Sequence, residues 1–141
     1  MKLVKSDCTP GKIYDNLFIG SIGAAYNKEK LKEFGITHIL TVAAKLKPRF
    51  EKDFVYKIIN AIDTSEEDVQ QFFEESNQYI NQVMSEDPNN KILIHCFAGK
   101  SRATTFTVAY MISERGINIK DALEHVWGVR AIAEPNPGFM E

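Results

Sequence analysis

Short apolar runs alternate with longer amphipathic segments along most of the chain. The runs are rich in Ile, Leu and Val, and polar residues or glycine bound them, as is typical of strands buried in a sheet. The segments between and after them carry apolar residues at helical spacing. The strand-like runs are residues 36–42, 54–59 and 92–94. The helix-like segments are residues 28–34, 69–84 and 102–111. This alternation predicts an α/β fold in which helices flank a central, mostly parallel sheet.

Turn and capping residues near the amino end mark where the first elements begin and end. Residues 13–19 read as two short strands around a turn at Asp15 and Asn16. Asn27 can cap the helix that follows, and Gly35 can end it in a left-handed conformation. The sequence therefore predicts two short strands, a short helix and then the first of the long buried strands.

A longer helix is predicted before the last strand. Thr64 or Ser65 can cap its start, and the carboxylates that follow suit the positive end of the helix dipole. The helix should end near residues 87–90, because Asp-Pro-Asn-Asn cannot continue it. Further along the chain, Gly116 is expected to end one helix and Asn118 to cap the next.

The stretch at residues 91–110 combines a strand end, a tight loop and a helix start with reactive side chains. Cys96 follows the strand, and Arg102 stands six residues later, where the helix begins. Backbone N–H groups of such a loop can converge on one point and, with the helix dipole, bind an anion there. The same field stabilises a thiolate, and the planar guanidinium of Arg102 can bind two phosphate oxygens at once. The loop residues are Phe97, Ala98, Gly99, Lys100 and Ser101. The alternative is a buried structural cysteine with an incidental arginine.

The octet from His95 to Arg102, His-Cys-x-x-Gly-x-x-Arg, resembles the signature of the cysteine-dependent protein phosphatases. With Ser101 before the arginine, it is most similar to the dual-specificity branch. The block LFIGSIGAAYNKEKLKEFGITHILTV at residues 17–42 is similar to the opening of these enzymes, so the resemblance covers roughly residues 11–140. It implies a phosphatase P-loop between strand and helix. It also implies hydrolysis of phosphotyrosine and of phosphoserine or phosphothreonine through a phosphocysteine intermediate.

Phosphomonoester hydrolysis needs a nucleophile, stabilisation of the phosphoryl oxygens and a proton for the leaving oxygen. Cys96 would be the nucleophile, and Arg102 with the loop N–H groups would hold the oxygens. Asp63 is the favoured general acid, because it lies at a strand–loop–helix junction 33 residues before Cys96. The resemblance implies an acid aspartate at the matching place, and helix capping is the alternative role. The rival carboxylates, which suit a helix start better, are Glu66, Glu67 and Asp68.

The resemblance also bears on the roles of three further residues. His95 would hydrogen-bond around the cysteine and tune the thiolate, and Asn136 would brace the phosphate loop. The chain departs from the usual family pattern at Ala103, where a Ser or Thr normally follows the arginine and helps the cysteine leave. This departure predicts slow breakdown of the phosphocysteine.

Length and composition fit a single domain over residues 1–141, with an irregular lead-in at residues 1–11. A net charge of −2 gives no sign of a nucleic acid or membrane partner, and no apolar stretch approaches 18 residues. The three histidines and two cysteines lack metal-ligand spacing, so no metal and no other cofactor is expected. Cys8 and Cys96 do not make a disulfide framework, which favours a cytoplasmic or nuclear location. A monomer is the favoured oligomeric state.

Two other functions stay open at this point. A phosphatase-like module could bind phosphorylated partners with weak turnover or none, and Ala103 is consistent with that. The substrate could also be a non-protein phosphate ester such as a phosphoinositide. The loop carries one lysine, Lys100, and an aromatic residue, Phe97, where lipid-directed relatives place a basic one, so phosphorylated proteins are the favoured partners.

Overall fold

A computed structural model of the chain describes residues 9–43, 47–59, 70–96 and 102–129. Its sheet contains five strands in the order β1-β2-β5-β3-β4. The strands are β1 Gly11–Tyr14, β2 Leu17–Gly20, β3 His38–Val42, β4 Val55–Ile59 and β5 Ile92–His95. The pairs β2–β5, β5–β3 and β3–β4 are parallel, and only the pair of β1 with β2 is antiparallel. The predicted mostly parallel sheet is confirmed.

Five helices that accompany the sheet lie wholly within the described ranges. They are α1 Ile22–Ala25, α2 Lys28–Glu33, α3 Phe73–Glu86, α4 Arg102–Arg115 and α5 Ile119–Val129. The α/β class is therefore confirmed. β1 already starts at Gly11, because this residue pairs with Ile19 of β2. The irregular lead-in, which was predicted to end at residue 11, therefore ends one residue earlier. Residues 1–8 lie outside the described part of the chain.

Buried side chains form two apolar clusters, and alternate residues of each central strand supply them. Ile92 and Ile94 of β5 belong to a large cluster with residues of α3, α4 and α5. Leu93, between them, belongs to a smaller cluster with residues of α1 and α2. Because successive side chains of a strand point to opposite faces, the two clusters lie on opposite faces of the sheet. The predicted flanking of the sheet by helices is confirmed.

Capping residues act where the sequence predicted them. Asn27 accepts a hydrogen bond from the Lys30 backbone N–H at 3.2 Å, and Gly35 ends the helix with a φ of +77°. Gly116 has a φ of +66° directly after α4. Asn118 then accepts from the Asp121 N–H at 2.8 Å at the start of α5. These residues mark the two ends of α2, the end of α4 and the start of α5.

The predicted helix before β5 is interrupted at Gln71 and Phe72, although Gln70 is still helical. Gln71 and Phe72 form a turn, so α3 begins at Phe73, and no side-chain cap stands at its start. Apolar spacing carries no information about such a turn, because Phe72 still packs against the core. The predicted caps Thr64 and Ser65 lie outside the described residues. The predicted end is confirmed, since α3 stops at Glu86.

Candidate active site

The central strand β5 leads directly into Cys96. β5 lies between β2 and β3 and runs parallel to both, so Cys96 follows the carboxyl edge of three aligned strands. All four residues of β5 are buried, and Cys96 itself is 5% exposed. In open α/β sheets this edge is where ligands bind. The fold therefore places the predicted nucleophile at the expected end of the sheet.

The helix α4 begins at Arg102, six residues after Cys96. Its first turn is anchored in the core, since Ala103, Thr104 and Thr105 are all buried, and the helix packs on β5 and β2. The Thr107 hydroxyl also donates to the Ala103 carbonyl at 2.8 Å. The positive end of the α4 dipole is thus held rigidly beside the end of β5, where it favours an anion.

His95 is held in one protonation state by two hydrogen bonds. Its Nδ1 lies 3.3 Å from the Cys96 carbonyl oxygen, which can only accept, so Nδ1 carries the hydrogen. Its Nε2 lies 2.9 Å from the Thr41 hydroxyl, which therefore donates to the ring. Burial lowers the pKa of His95 to about 4, although the bond to the Cys96 carbonyl opposes that shift. The imidazole is therefore neutral near pH 7.

The end of β2 approaches this histidine closely. Gly20 is the register partner of His95 on one side, as Thr41 is on the other. A Cβ on Gly20 would lie 2.9 Å from the Cβ of Ala24, so any side chain would push α1 away. Ser21 follows and caps α1, accepting from the Gly23 N–H at 3.2 Å. The glycine lets α1 sit against the strand ends next to the site.

The family "Dual specificity phosphatase, catalytic domain" matches residues 17–141 of this sequence. The chain belongs to the dual-specificity phosphatase family. It is a cysteine-dependent protein phosphatase and hence a hydrolase. This agrees with the placement of Cys96 between a central strand and a helix.

Relatives of this phosphatase cover nearly the whole chain. Dual specificity protein phosphatase 1B of Arabidopsis thaliana is 42% identical over 139 residues, which are 99% of this chain and 82% of that protein. Dual specificity protein phosphatase 1 of the same organism is 39% identical over 136 residues, which are 96% of this chain and 68% of that protein. Among solved structures, the human tyrosine phosphatase-like serine/threonine/tyrosine-interacting protein is 29% identical, with a TM-score of 0.83. That match covers 93% of this chain and 90% of the human chain.

The structure brings three of the predicted site residues of the phosphatase to one edge of the sheet. His95 ends β5, Cys96 follows it, and Arg102 opens α4 in a half-buried position. Other predicted site residues lie outside the described part of the chain. They are Asp63, Phe97, Ala98, Gly99, Lys100, Ser101 and Asn136. Their roles stay predictions.

Thr41 is the site residue of the phosphatase that sequence reasoning missed. It is a hydroxyl residue in the otherwise apolar end of β3, and it is 3% exposed. That isolated polar residue was the available signal. Its partner could not be read from the sequence, because 54 residues separate Thr41 from His95.

Within residues 9–43, 47–59, 70–96 and 102–129, no group of three His, Cys, Asp or Glu side chains could hold a metal ion. None of the helices in these ranges is both long and apolar enough to cross a bilayer.

Proposed function

We propose that this phosphatase hydrolyses phosphotyrosine and phosphoserine or phosphothreonine in protein substrates through a phosphocysteine on Cys96. The observation that carries the proposal is the position of Cys96 directly after β5, six residues before the start of α4. A nucleophile at this point meets the positive end of a helix that can bind the phosphate it attacks. The family match favours a protein phosphatase over a binding module or a lipid phosphatase.

The reaction has two steps. In the first, the Cys96 thiolate forms a bond to phosphorus as the bond to the substrate oxygen breaks. Asp63 would give its proton to that leaving oxygen and so release the free hydroxyl of the protein substrate. In the second, water attacks the phosphocysteine, Asp63 takes the proton of the water, and the thiolate departs with its electron pair. Inorganic phosphate is the product.

The phosphoryl charge would be stabilised by Arg102 and by the backbone N–H groups of residues 97–102. His95 would support this arrangement through the backbone of the nucleophilic residue. As a neutral ring that donates through Nδ1, it binds the carbonyl of the nucleophilic residue and adds no competing positive charge in the core. We therefore assign His95 as a positioning residue for Cys96.

Hydrolysis of a small aryl phosphate between pH 5 and 8 tests these roles. Cys96→Ser should abolish turnover, because the hydroxyl is not ionised at these pH values. Asp63→Asn should lower kcat by about 10²- to 10⁴-fold, the usual effect of removing a general acid. Asp68→Asn is the matched control, since it makes the same change five residues further along, and it should leave kcat within about twofold of wild type.

The assignment of Asp63 fails if Asp68→Asn loses activity and Asp63→Asn retains it. The proposed chemistry fails altogether if Cys96→Ser turns over as fast as wild type. Mass spectrometry of acid-quenched wild type during turnover adds a direct readout. A mass increase of one phosphoryl group on the peptide that contains Cys96 is expected.

A cytoplasmic or nuclear location and a monomeric state stay predictions from the sequence. Size-exclusion chromatography with light scattering checks the second of these, and a mass near twice 16.0 kDa would contradict it.

A further inference from the structure

A groove of about 410 Å³ lies between α3 and α4. At one end, the rings of Phe73 and Phe106 pack edge to face with centroids 5.2 Å apart. Further along, the Asn81 Nδ2 donates to the Glu114 Oε1 at 2.7 Å. Since both contacts join residues 33 positions apart, the two helices run side by side in the same direction. The groove follows them away from the end that carries Arg102.

The groove has an acidic lining. Glu74 of α3 and Glu114 of α4 lie on its two sides, and no Lys or Arg is among the described residues that line it. No ion pair joins either carboxylate to a basic side chain in the described part of the chain. The sequence that surrounds α3 is also acidic. Residues 58–90 hold eight of the 19 acidic residues of the chain and no Lys, Arg or His.

The carboxylate of Glu114 accepts two hydrogen bonds that orient it. Its two oxygens accept hydrogen bonds from Asn81 Nδ2 and from the Ser113 hydroxyl, both at 2.7 Å. These bonds hold the pKa of Glu114 below its usual value, so the group is ionised near pH 7. A carboxylate that is already oriented loses little freedom when it binds a cationic partner.

Asn77 supplies an acceptor that lacks a donor. It lies on α3 between Glu74 and Asn81, lines the groove and is only 7% exposed. Its Oδ1 is fully buried and has no hydrogen-bond partner among the described residues. A buried acceptor without a donor costs stability unless something supplies one. The groove therefore presents two carboxylates to a donor-rich group, and the unpaired Asn77 oxygen is closed to solvent until its side chain turns toward such a group.

The groove lies within reach of a substrate bound at Cys96. Its α4 residues, Ala109 to Glu114, stand about 10 to 18 Å along the helix from Arg102, at 1.5 Å of rise per residue. An extended peptide advances about 3.3 Å per residue. A side chain about three to five residues from the phosphorylated residue can therefore enter the groove.

We propose that this groove, lined by Glu74, Asn77, Asn81 and Glu114, binds an arginine side chain of the protein substrate, three to five residues from the phosphorylated residue. Arginine fits because its planar guanidinium offers five donors and no acceptor, which matches a lining rich in carboxylate and amide oxygens. Lysine offers a compact charge with three donors and would bind less well. The proposal rests on the proposed function, since it places a protein substrate at Cys96.

Equilibrium binding of labelled phosphotyrosine peptides to the full chain carrying Cys96→Ser tests the groove without turnover. One peptide carries Arg four residues before the phosphotyrosine, a second carries it four residues after, and a third has Gln at both places. At least one arginine peptide should bind about three- to tenfold more tightly than the glutamine peptide at 0.1 M salt. This preference should shrink at 0.5 M salt.

Charge-matched variants locate the effect. Glu74→Gln with Glu114→Gln should remove the arginine preference. Glu29→Gln with Glu124→Gln makes the same change in net charge on exposed positions of α2 and α5, away from the groove, and should keep the preference. The proposal is overturned if the protein with Glu74 and Glu114 unchanged binds the arginine and glutamine peptides equally well. It is also overturned if both double variants lose the arginine preference to the same extent.

Hydrolysis of a small aryl phosphate separates this proposal from the proposed function. The two double variants, made with Cys96 intact, should both hydrolyse it at the wild-type rate, because neither changes the catalytic residues. Inactivity of the wild type on aryl phosphate would contradict the proposed function. The arginine preference in peptide binding would still show whether the groove binds arginine.

Discussion

The Thr41 hydroxyl donates a hydrogen bond to Nε2 of His95 across 2.9 Å, and the two residues are direct partners in the register of β3 and β5. The bond is buried and lies one residue before the nucleophile. It satisfies the lone pair of a neutral histidine whose Nδ1 faces the Cys96 carbonyl. Thr41 therefore sets the orientation of the residue that positions Cys96.

Thr41→Val removes this donor and leaves the buried Nε2 without a partner. The free energy of unfolding should fall by about 1 to 3 kcal/mol, because Val matches the shape of Thr and the loss is that of the unsatisfied ring nitrogen. Urea denaturation followed by circular dichroism measures it.

Thr104→Val is the matched control. Thr104 is also fully buried, but its hydroxyl has no hydrogen-bond partner in the part of the chain that the structure describes. Removal of that hydroxyl should therefore leave the free energy of unfolding unchanged or raise it. Equal losses in both variants would contradict the role given to the Thr41 hydroxyl.

The neutral state of His95 makes stability depend on pH. The folded-state pKa of about 4 lies below the usual 6.5, so between these values the unfolded chain takes up a proton that the folded chain does not. The stabilisation is complete above pH 6.5 and is lost as the pH falls towards 4, by roughly 3 kcal/mol over the whole window. His95→Asn keeps an N–H donor but cannot titrate.

Urea denaturation of wild type and His95→Asn at intervals from pH 4 to 7.5 measures this dependence. The variant should be less stable at pH 7 because a buried ring is lost, but its stability should fall less steeply between pH 6.5 and 4. Parallel curves for the two proteins would show that His95 takes up its proton equally in the folded and unfolded states.

Gly116 and Gly128, which both have open surroundings, test how the left-handed conformation after α4 affects stability. A Cβ on Gly116 or on Gly128 would meet no atom within 4 Å, but only Gly116 has a positive φ, at +66°. Gly116→Ala should lower the free energy of unfolding by about 1 kcal/mol, because an L-residue is strained there. Gly128→Ala, inside α5, should be neutral or add up to about 1 kcal/mol of helix propensity. Thermal unfolding of both variants distinguishes the two effects.

Ala103 should slow the second step of the proposed reaction. It stands where the family usually has a hydroxyl residue that helps the cysteine leave, and in this chain its side chain is fully buried at the start of α4. Stopped-flow hydrolysis of an aryl phosphate should show a burst of the leaving group followed by slower turnover. Ala103→Ser should reduce the burst and raise the steady rate. A wild-type time course without a burst would contradict slow phosphocysteine breakdown.

Much of the architecture could be predicted because local physical chemistry sets it. The alternation of apolar runs and helical segments indicated the α/β class, and Asn27, Gly35, Gly116 and Asn118 marked helix ends that the structure confirms. These signals act within a few residues, so a single chain contains them. The break at Gln71 and Phe72 was missed because Phe72 keeps the apolar spacing of a continuous helix while the backbone turns.

Local sequence patterns were enough to indicate the kind of site. A cysteine six residues before an arginine, between a strand and a helix, indicates anion binding and thiolate chemistry. This inference does not depend on residues that are distant along the chain. The surroundings of that cysteine depend on contacts between distant parts of the chain. The pairing of β3 with β5 brings Thr41 to His95, and the packing of α3 beside α4 brings Glu74 and Glu114 to one groove. Pairing and packing join residues that are distant along the chain, and no local pattern encodes which ones will meet.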